Sequence, residues 1–188
     1  VSAEKTSNTR SVPMGVSQLN IQTIRSVPVV FGEPDVLKVV LALPGVTSVG
    51  EASNGFNVRG GSADQNLILF NDATIYNPSH LFGFFSAFDP DIVKGIELYK
   101  SAIPEKYGGR LSSVLDVAIK DGNKKKWSGS GGIGPLTSKF TIEGPIKKDK
   151  TSVIAGFRTT YSNSLLNLIP NSTYSNSRAN FYDSNLHF

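Results

Sequence analysis

Two hydrophobic periods divide the chain. Around residues 34–44, Val36, Leu37, Val39, Val40 and Leu41 recur at helical spacing, behind Gly32, Glu33, Pro34 and Asp35 and ahead of Pro44 and Gly45. Proline is tolerated in a first turn and acids complement the positive end of a helix, so this spacing predicts a helix that stops at the Pro-Gly pair. Ser17 reads as the N-cap of an earlier short turn carrying Leu19, Ile21 and Ile24. From Phe56 the period becomes that of strands. Phe56 to Arg59 alternate, Gly60 and Gly61 break the run, and Asn66, Leu67, Ile68, Leu69 and Phe70 have the length of a buried strand. Leu81, Phe82, Phe84, Phe85 and Phe88 then return near helical spacing, and Asp89, Pro90 and Asp91 cap a further turn. Strands are expected from Ile92 or Gly95 to Lys100 and over 113–119, with a turn over 104–110 between them.

A polar linker at 121–126 marks a boundary, beyond which the pattern is strict alternation. Leu136, Ser138, Phe140 and Ile142 interleave with Thr137, Lys139, Thr141 and Glu143. Val153, Ala155 and Phe157 interleave with Ser152, Gly156 and Arg158, after a turn over 144–150. Tyr182, Ser184, Leu186 and Phe188 interleave with Asp183, Asn185 and His187. A half-exposed soluble sheet and the wall of a transmembrane barrel share this period; they differ in which face meets water.

Composition narrows the classes. Only 18% of the 188 residues are charged and 39% are hydrophobic, below the roughly 25% charged share of soluble domains. The net charge of +4 is concentrated in Lys124, Lys125, Lys126, Lys147, Lys148 and Lys150. These sit at two turn-like places without interleaved aromatics, which argues for solvated turns and against nucleic acid. There is no cysteine, so no disulfide and no thiolate metal site. No apolar run reaches the roughly 18 residues of a membrane helix, and Val1 opens into polar residues without the apolar stretch of a signal peptide.

Enzyme signatures fail on context. Gly129, Gly131 and Gly134 fit G-x-G-x-x-G, but Lys124 to Lys126 precede them and Pro135 follows where a helix should open. Two histidines and no G-x-S-x-G elbow leave a serine hydrolase without parts. Asp89 and Asp91 flank a proline and read as a turn cap. No catalytic residue, cofactor or metal is expected.

The strings FNVRGGSADQNLILFNDATIYNP and FDPDIVKGIELYKSAIPEKYGGRLSSVLDVAIK, with LKVVLALPGV upstream, resemble the plug of TonB-dependent outer-membrane receptors over about residues 16–122. KWSGSGGIG, KFTIEGPIKKDKTSVIAGFR and FYDSNLHF resemble the first barrel strands of that family. The resemblance implies an α+β plug, a small mixed sheet with short helices, followed by the first antiparallel strands of a transmembrane β-barrel. The expected division is an extended lead-in at 1–15, a plug at 16–122 and about four wall strands at 123–188. Since the family's barrels have about 22 strands and open edges are not tolerated in lipid, the chain is expected to be an N-terminal fragment, or the ordered part, of a much longer receptor.

The same resemblance implies roles for individual residues. Arg59 stands where the family places an arginine that locks the plug to wall carboxylates. Lys100 stands at a second lock position, where lysine lacks the bidentate fork of arginine, and Arg110 is a substitute. Gly60, Gly61, Gly108 and Gly109 are expected to be structural turn glycines. The outward loops, 48–55 and 74–84, would offer Glu51, Asn54, Tyr76, Asn77, His80 and Phe82 to a nutrient. Iron chelates, cobalamin, glycans and peptides all remain open. The implied partners are the TonB energy-transducing complex, a small nutrient and a surface lipoprotein. The implied location is the outer membrane of a Gram-negative bacterium, with the plug inside the barrel and facing the periplasm. Residues 1–16 carry no recognisable TonB box, so coupling rests on the resemblance alone. Some Bacteroidetes members carry an extra small β-sandwich upstream, of which Val1 to Arg10 would be the exit strand. The alternative is a soluble periplasmic or secreted β-rich binding module, in which the apolar faces of 136–142 and 153–157 pack into a core.

Overall fold

The computed structural model describes residues 15–27, 34–50, 55–81, 83–161 and 180–188. The lead-in before Gly15, and Glu51, Asn54 and Phe82, lie outside the described residues. The first half folds around a five-stranded sheet of order β1-β8-β9-β4-β5. Here β1 is Val16–Asn20, β4 Asn66–Phe70, β5 Ala73–Thr74, β8 Val93–Tyr99 and β9 Ser113–Ile119. The β4 and β9 pairing is parallel and the others antiparallel, which makes the sheet mixed. One face carries Ile68, Ile96, Leu98, Leu115 and Val117. They cluster with Ile24 of α1 (Ile21–Ser26) and with Val36, Val39 and Val40 of α2 (Val36–Leu41). Val46 of β2 (Val46–Ser48) and Phe56 and Val58 of β3 (Phe56–Val58) complete that core. On the opposite face Leu69, Tyr99 and Val114 form a smaller cluster against Ile103 and Tyr107.

Two local expectations are corrected. Ser17 does not cap a helix; it pairs with Leu98 inside β1, and the cap is Asn20, whose Oδ1 accepts from Thr23 N–H at 2.9 Å. Pairing with the β8 edge holds 16–20 extended, and helix formation waits for the next residue able to cap. Nor do residues 79–88 form a helix. They make a short hairpin of β6 (Ser79–His80) and β7 (Phe85–Ser86). Leu81 at φ 48 and Gly83 at φ 86 are left-handed, a conformation that a right-handed helix does not contain. The near-helical spacing instead buries Phe85 and Phe88 and leaves Phe84 exposed.

The second half is an antiparallel meander of β10 (Ser128–Ile133), β11 (Thr137–Lys147), β12 (Thr151–Thr160) and β13 (Tyr182–His187). The glycine-rich 129–134 stretch is therefore strand and turn, paired to β11 through Gly129 with Ile142 and Gly131 with Phe140. The turn expected over 144–150 is narrower, because β11 continues through Gly144, paired with Val153, to Lys147. Gly144 lies under the Trp127 ring, where any Cβ would collide with it.

Burial on these strands is inverted relative to a soluble sheet. Phe140 is 54% and Phe157 46% exposed, and Ile142 and Leu186 are exposed beside them, while Thr141 is 3% and Arg158 2% exposed on the other face. The polar face, with Thr137, Ser152 and Thr160, packs inward toward the five-stranded sheet and its loops, and the apolar face is bare. That arrangement suits a wall with lipid outside.

Candidate functional site

A chain of polar contacts joins the mixed domain to the wall, and it begins at a helix cap. Asp35 caps α2 through Oδ1, which accepts from Leu37 and Lys38 N–H. Its Oδ2 accepts from Ser86 N–H at 3.1 Å, so the cap also holds β7. Burial pushes the Asp35 carboxyl up, opposed by those backbone donors. The Ser86 carbonyl accepts from Arg158 Nη2 at 2.5 Å. Arg158 Nε and Nη2 both donate to Asp183 Oδ2, and His80 Nε2 lies 2.8 Å from Asp183 Oδ1. The Phe181 ring stacks on His80 with centroids 4.2 Å apart and carries the Arg158 guanidinium at 5.3 Å. Strand register explains the convergence, because Arg158 pairs with Asp183 across β12 and β13 and both point inward.

A second group lies two residues along β12. Gly156 has no side chain, and a Cβ there would approach Ile92 Cγ2 to 2.8 Å and Asp89 Oδ2 to 3.4 Å. Asp89 is fully buried, with Oδ1 accepting from Asp91 N–H. Asp89 Oδ2 and Thr141 Oγ1 are buried polar atoms without a hydrogen-bond partner. Asp91 takes Lys139 of the wall at 2.7 Å and Arg25 of α1 at 3.1 Å. Further along, Lys120 Nζ sits 3.6 Å from Glu143.

Burial, helped by the neighbouring Asp91 charge, pushes the Asp89 carboxyl up, although the hydrogen bond from Asp91 N–H and the Arg158 and Lys139 charges oppose the shift. The folded protein thus holds this proton more tightly than the unfolded chain. Its contribution to stability is full below the usual value of 3.8 and is lost as pH climbs through the raised native value. Asp89→Asn keeps the acceptor for Asp91 N–H and removes the buried charge. It is expected to raise stability at neutral pH by about 1 kcal/mol and to flatten this part of the pH profile. Denaturant midpoints measured from about pH 4 to about pH 8 check it; an unchanged slope would mean that Asp89 ionises normally.

The residues singled out from the sequence fall in three places. Tyr76, 84% exposed, lines a cavity of about 320 Å³ with Phe56, Asp64, Thr74 and Arg110. Asn77 is exposed beside it. His80 faces Asp183 of the wall instead of opening to that cavity. Arg59 is exposed at φ 50 with its N–H on the Gly45 carbonyl, and Lys100 Nζ donates to the Pro44 carbonyl. Among the described residues neither makes an ion pair with the wall. Gly60 and Gly109 have φ of +83 and +86, whereas Gly61 is needed because a Cβ would strike Ser112 Oγ; Gly108 shows neither requirement. Asp89, Asp91, Lys139, Arg158 and Asp183 were not singled out as interface residues. For Lys139, Arg158 and Asp183 the signal was a charge on one parity of a strand, and for Asp89 and Asp91 a turn-cap pattern; both acquire meaning when another domain fills that side.

Residues 8–113, more than half of the chain, match the family described as TonB-dependent Receptor Plug Domain. Among solved structures the fold is similar to the siderophore receptor PirA from Pseudomonas aeruginosa, with TM-score 0.58 and 19% identity over 80% of this chain and 28% of that one. It is also similar to the outer membrane transporter YddB from Escherichia coli, with TM-score 0.55 and 16% identity over 78% of this chain and 26% of that one. The chain therefore spans roughly a quarter of the length of the receptors it matches. Likeness at such identity is likeness of fold. No curated protein sequence matches the chain.

Proposed function

Because the chain belongs to the TonB-dependent receptor plug domain family, we propose that it forms the gate and first wall strands of an outer-membrane active-transport receptor. Residues 1–15 are the lead-in, 16–122 the plug and 123–188 the start of the barrel. The observation that carries this reading is the inverted burial of β11 to β13, with Arg158 and Thr141 packed toward the plug and Phe140 and Phe157 bare. A soluble binding module would need those aromatic faces covered.

The wall orients the gate. Residues 121–126 carry the plug into the wall at the end that holds the β11 to β12 turn, and that end is the periplasmic one in this reading. The cavity at Tyr76 and Arg110, together with Asn77 and the loops bearing Glu51, Asn54 and Phe82, then receives the nutrient from outside. That nutrient is an iron chelate, cobalamin, a glycan or a peptide, delivered in some receptors by a surface lipoprotein. The TonB complex pulls on the segment before Val16. It loads β1 first, an edge strand that pairs with β8 alone among the described strands, so the plug can yield locally while its core persists. Arg59, Lys100 and Arg110 act as locks toward wall strands of the longer receptor.

Expressing the full-length gene in its host tests the proposal. The expected result is a heat-modifiable outer-membrane protein and uptake of one labelled nutrient class that stops when a protonophore collapses the proton gradient. Recovery as a detergent-free soluble monomer would overturn it.

A further inference from the structure

The short-turn end of the wall carries a charge pattern that gating does not use. Lys124, Lys125 and Lys126 come from the linker and Lys147, Lys148 and Lys150 from the β11 to β12 turn, and all six are exposed. Asp149 N–H donates to the Lys124 carbonyl at 2.9 Å, tying the two runs together. The linker is shaped by Asn123, whose Oδ1 accepts from Lys125 and Lys126 N–H. It is also pressed against β12, since Gly122 lies so close to the Val153 carbonyl that no Cβ would fit. The nearby acids are Asp121 and Asp149, both exposed, so the patch is strongly positive. Immediately beside it, on the bare face of the wall, stand Trp127 at 58%, Ile146 at 57% and Phe188 at 70% exposure.

We propose that this end is a docking surface for anionic phospholipid headgroups in the leaflet that meets the short-turn end of the barrel. It rests on the membrane reading above. Charge complementarity selects the occupant: clustered lysines at a membrane boundary attract anionic headgroups, and an exposed Trp beside them sits at headgroup level with its ring toward the acyl chains. A patch that merely solubilised a turn would not need two runs pinned together against an apolar belt.

The test uses the purified full-length receptor in mild detergent, offered equal amounts of phosphatidylglycerol and phosphatidylethanolamine, with retained lipid counted by native mass spectrometry. The expected result is about tenfold retention of phosphatidylglycerol over phosphatidylethanolamine, falling toward parity in high salt as screening shortens the field. Replacing all six lysines by glutamine is expected to abolish the preference, and replacing all six by arginine to keep it. Salt titration of the unaltered protein gives the same answer if the glutamine variant fails to fold. Parity in the unaltered receptor, a preference that survives the glutamine variant, or displacement by free glycerol phosphate at equal concentration would overturn the proposal. A chain that never forms a heat-modifiable barrel overturns the receptor reading and this surface with it; a well-formed barrel at parity overturns the surface alone.

Discussion

Arg158→Met is expected to destabilise the folded receptor by about 3–5 kcal/mol, the range for breaking a buried ion pair on one side. Methionine keeps the apolar stem and fills much of the space, so the loss is mainly electrostatic. Among the described residues Asp183 would retain His80 alone, the Ser86 carbonyl would lose its Arg158 donor, and the cation over Phe181 would vanish. The double change Arg158→Met with Asp183→Leu is expected to recover part of the loss, because it leaves no uncompensated carboxylate. Guanidinium unfolding of the full-length receptor in detergent measures both variants. Entry of a hydrophilic dye into cells reports whether the plug has loosened in the wall. A single-variant loss below about 1 kcal/mol, as exposed ion pairs give, would mean that water reaches Arg158 and that it does not fasten the domains.

Phe88→Ala should be comparably severe, by a different mechanism. Its ring is 1% exposed and meets Phe70 edge-on with centroids 5.3 Å apart. Truncation of a buried aromatic leaves a cavity and costs about 3–5 kcal/mol. Phe88 also precedes Asp89, and its N–H donates to Ser86 Oγ. The cavity would therefore open between the plug core and the residues that face the wall. Hydrogen exchange should show lost protection in β7, β8 and the Asp89 turn before the outer strands. Phe88→Leu, keeping most of the volume, is expected to lose clearly less. Equal stability of the alanine variant would show that the core can collapse around the gap and that Phe88 does not couple the two halves.

The two changes mark what could be read in advance. Phe88 was visible as part of an aromatic run, although the same run leaves Phe84 exposed. Arg158 looked like any polar residue on an alternating strand. Its importance depends on Asp183 and Ser86, 25 and 72 residues away in the chain. His80 and Asp183 are 103 residues apart. Local patterning carries no information about such partners.

The sequence by itself determined the elements whose causes are local. The parity of β11, β12 and β13 follows from the two-residue period of a strand, the start of α2 from Asp35 and Pro34, and the parallel core strands from runs such as Asn66 to Phe70. Tertiary structure decided the rest. Ser17 joined a strand because the β8 edge was free to pair with it, and 79–88 turned back as a hairpin because left-handed Leu81 and Gly83 broke the helix that the phenylalanines suggested. Above all, an alternating strand has two faces and its period does not say which one meets the core. Only the plug, by covering Thr141, Gly156 and Arg158, settled that the polar face is inside, since buried charges need partners and those partners come from another part of the chain.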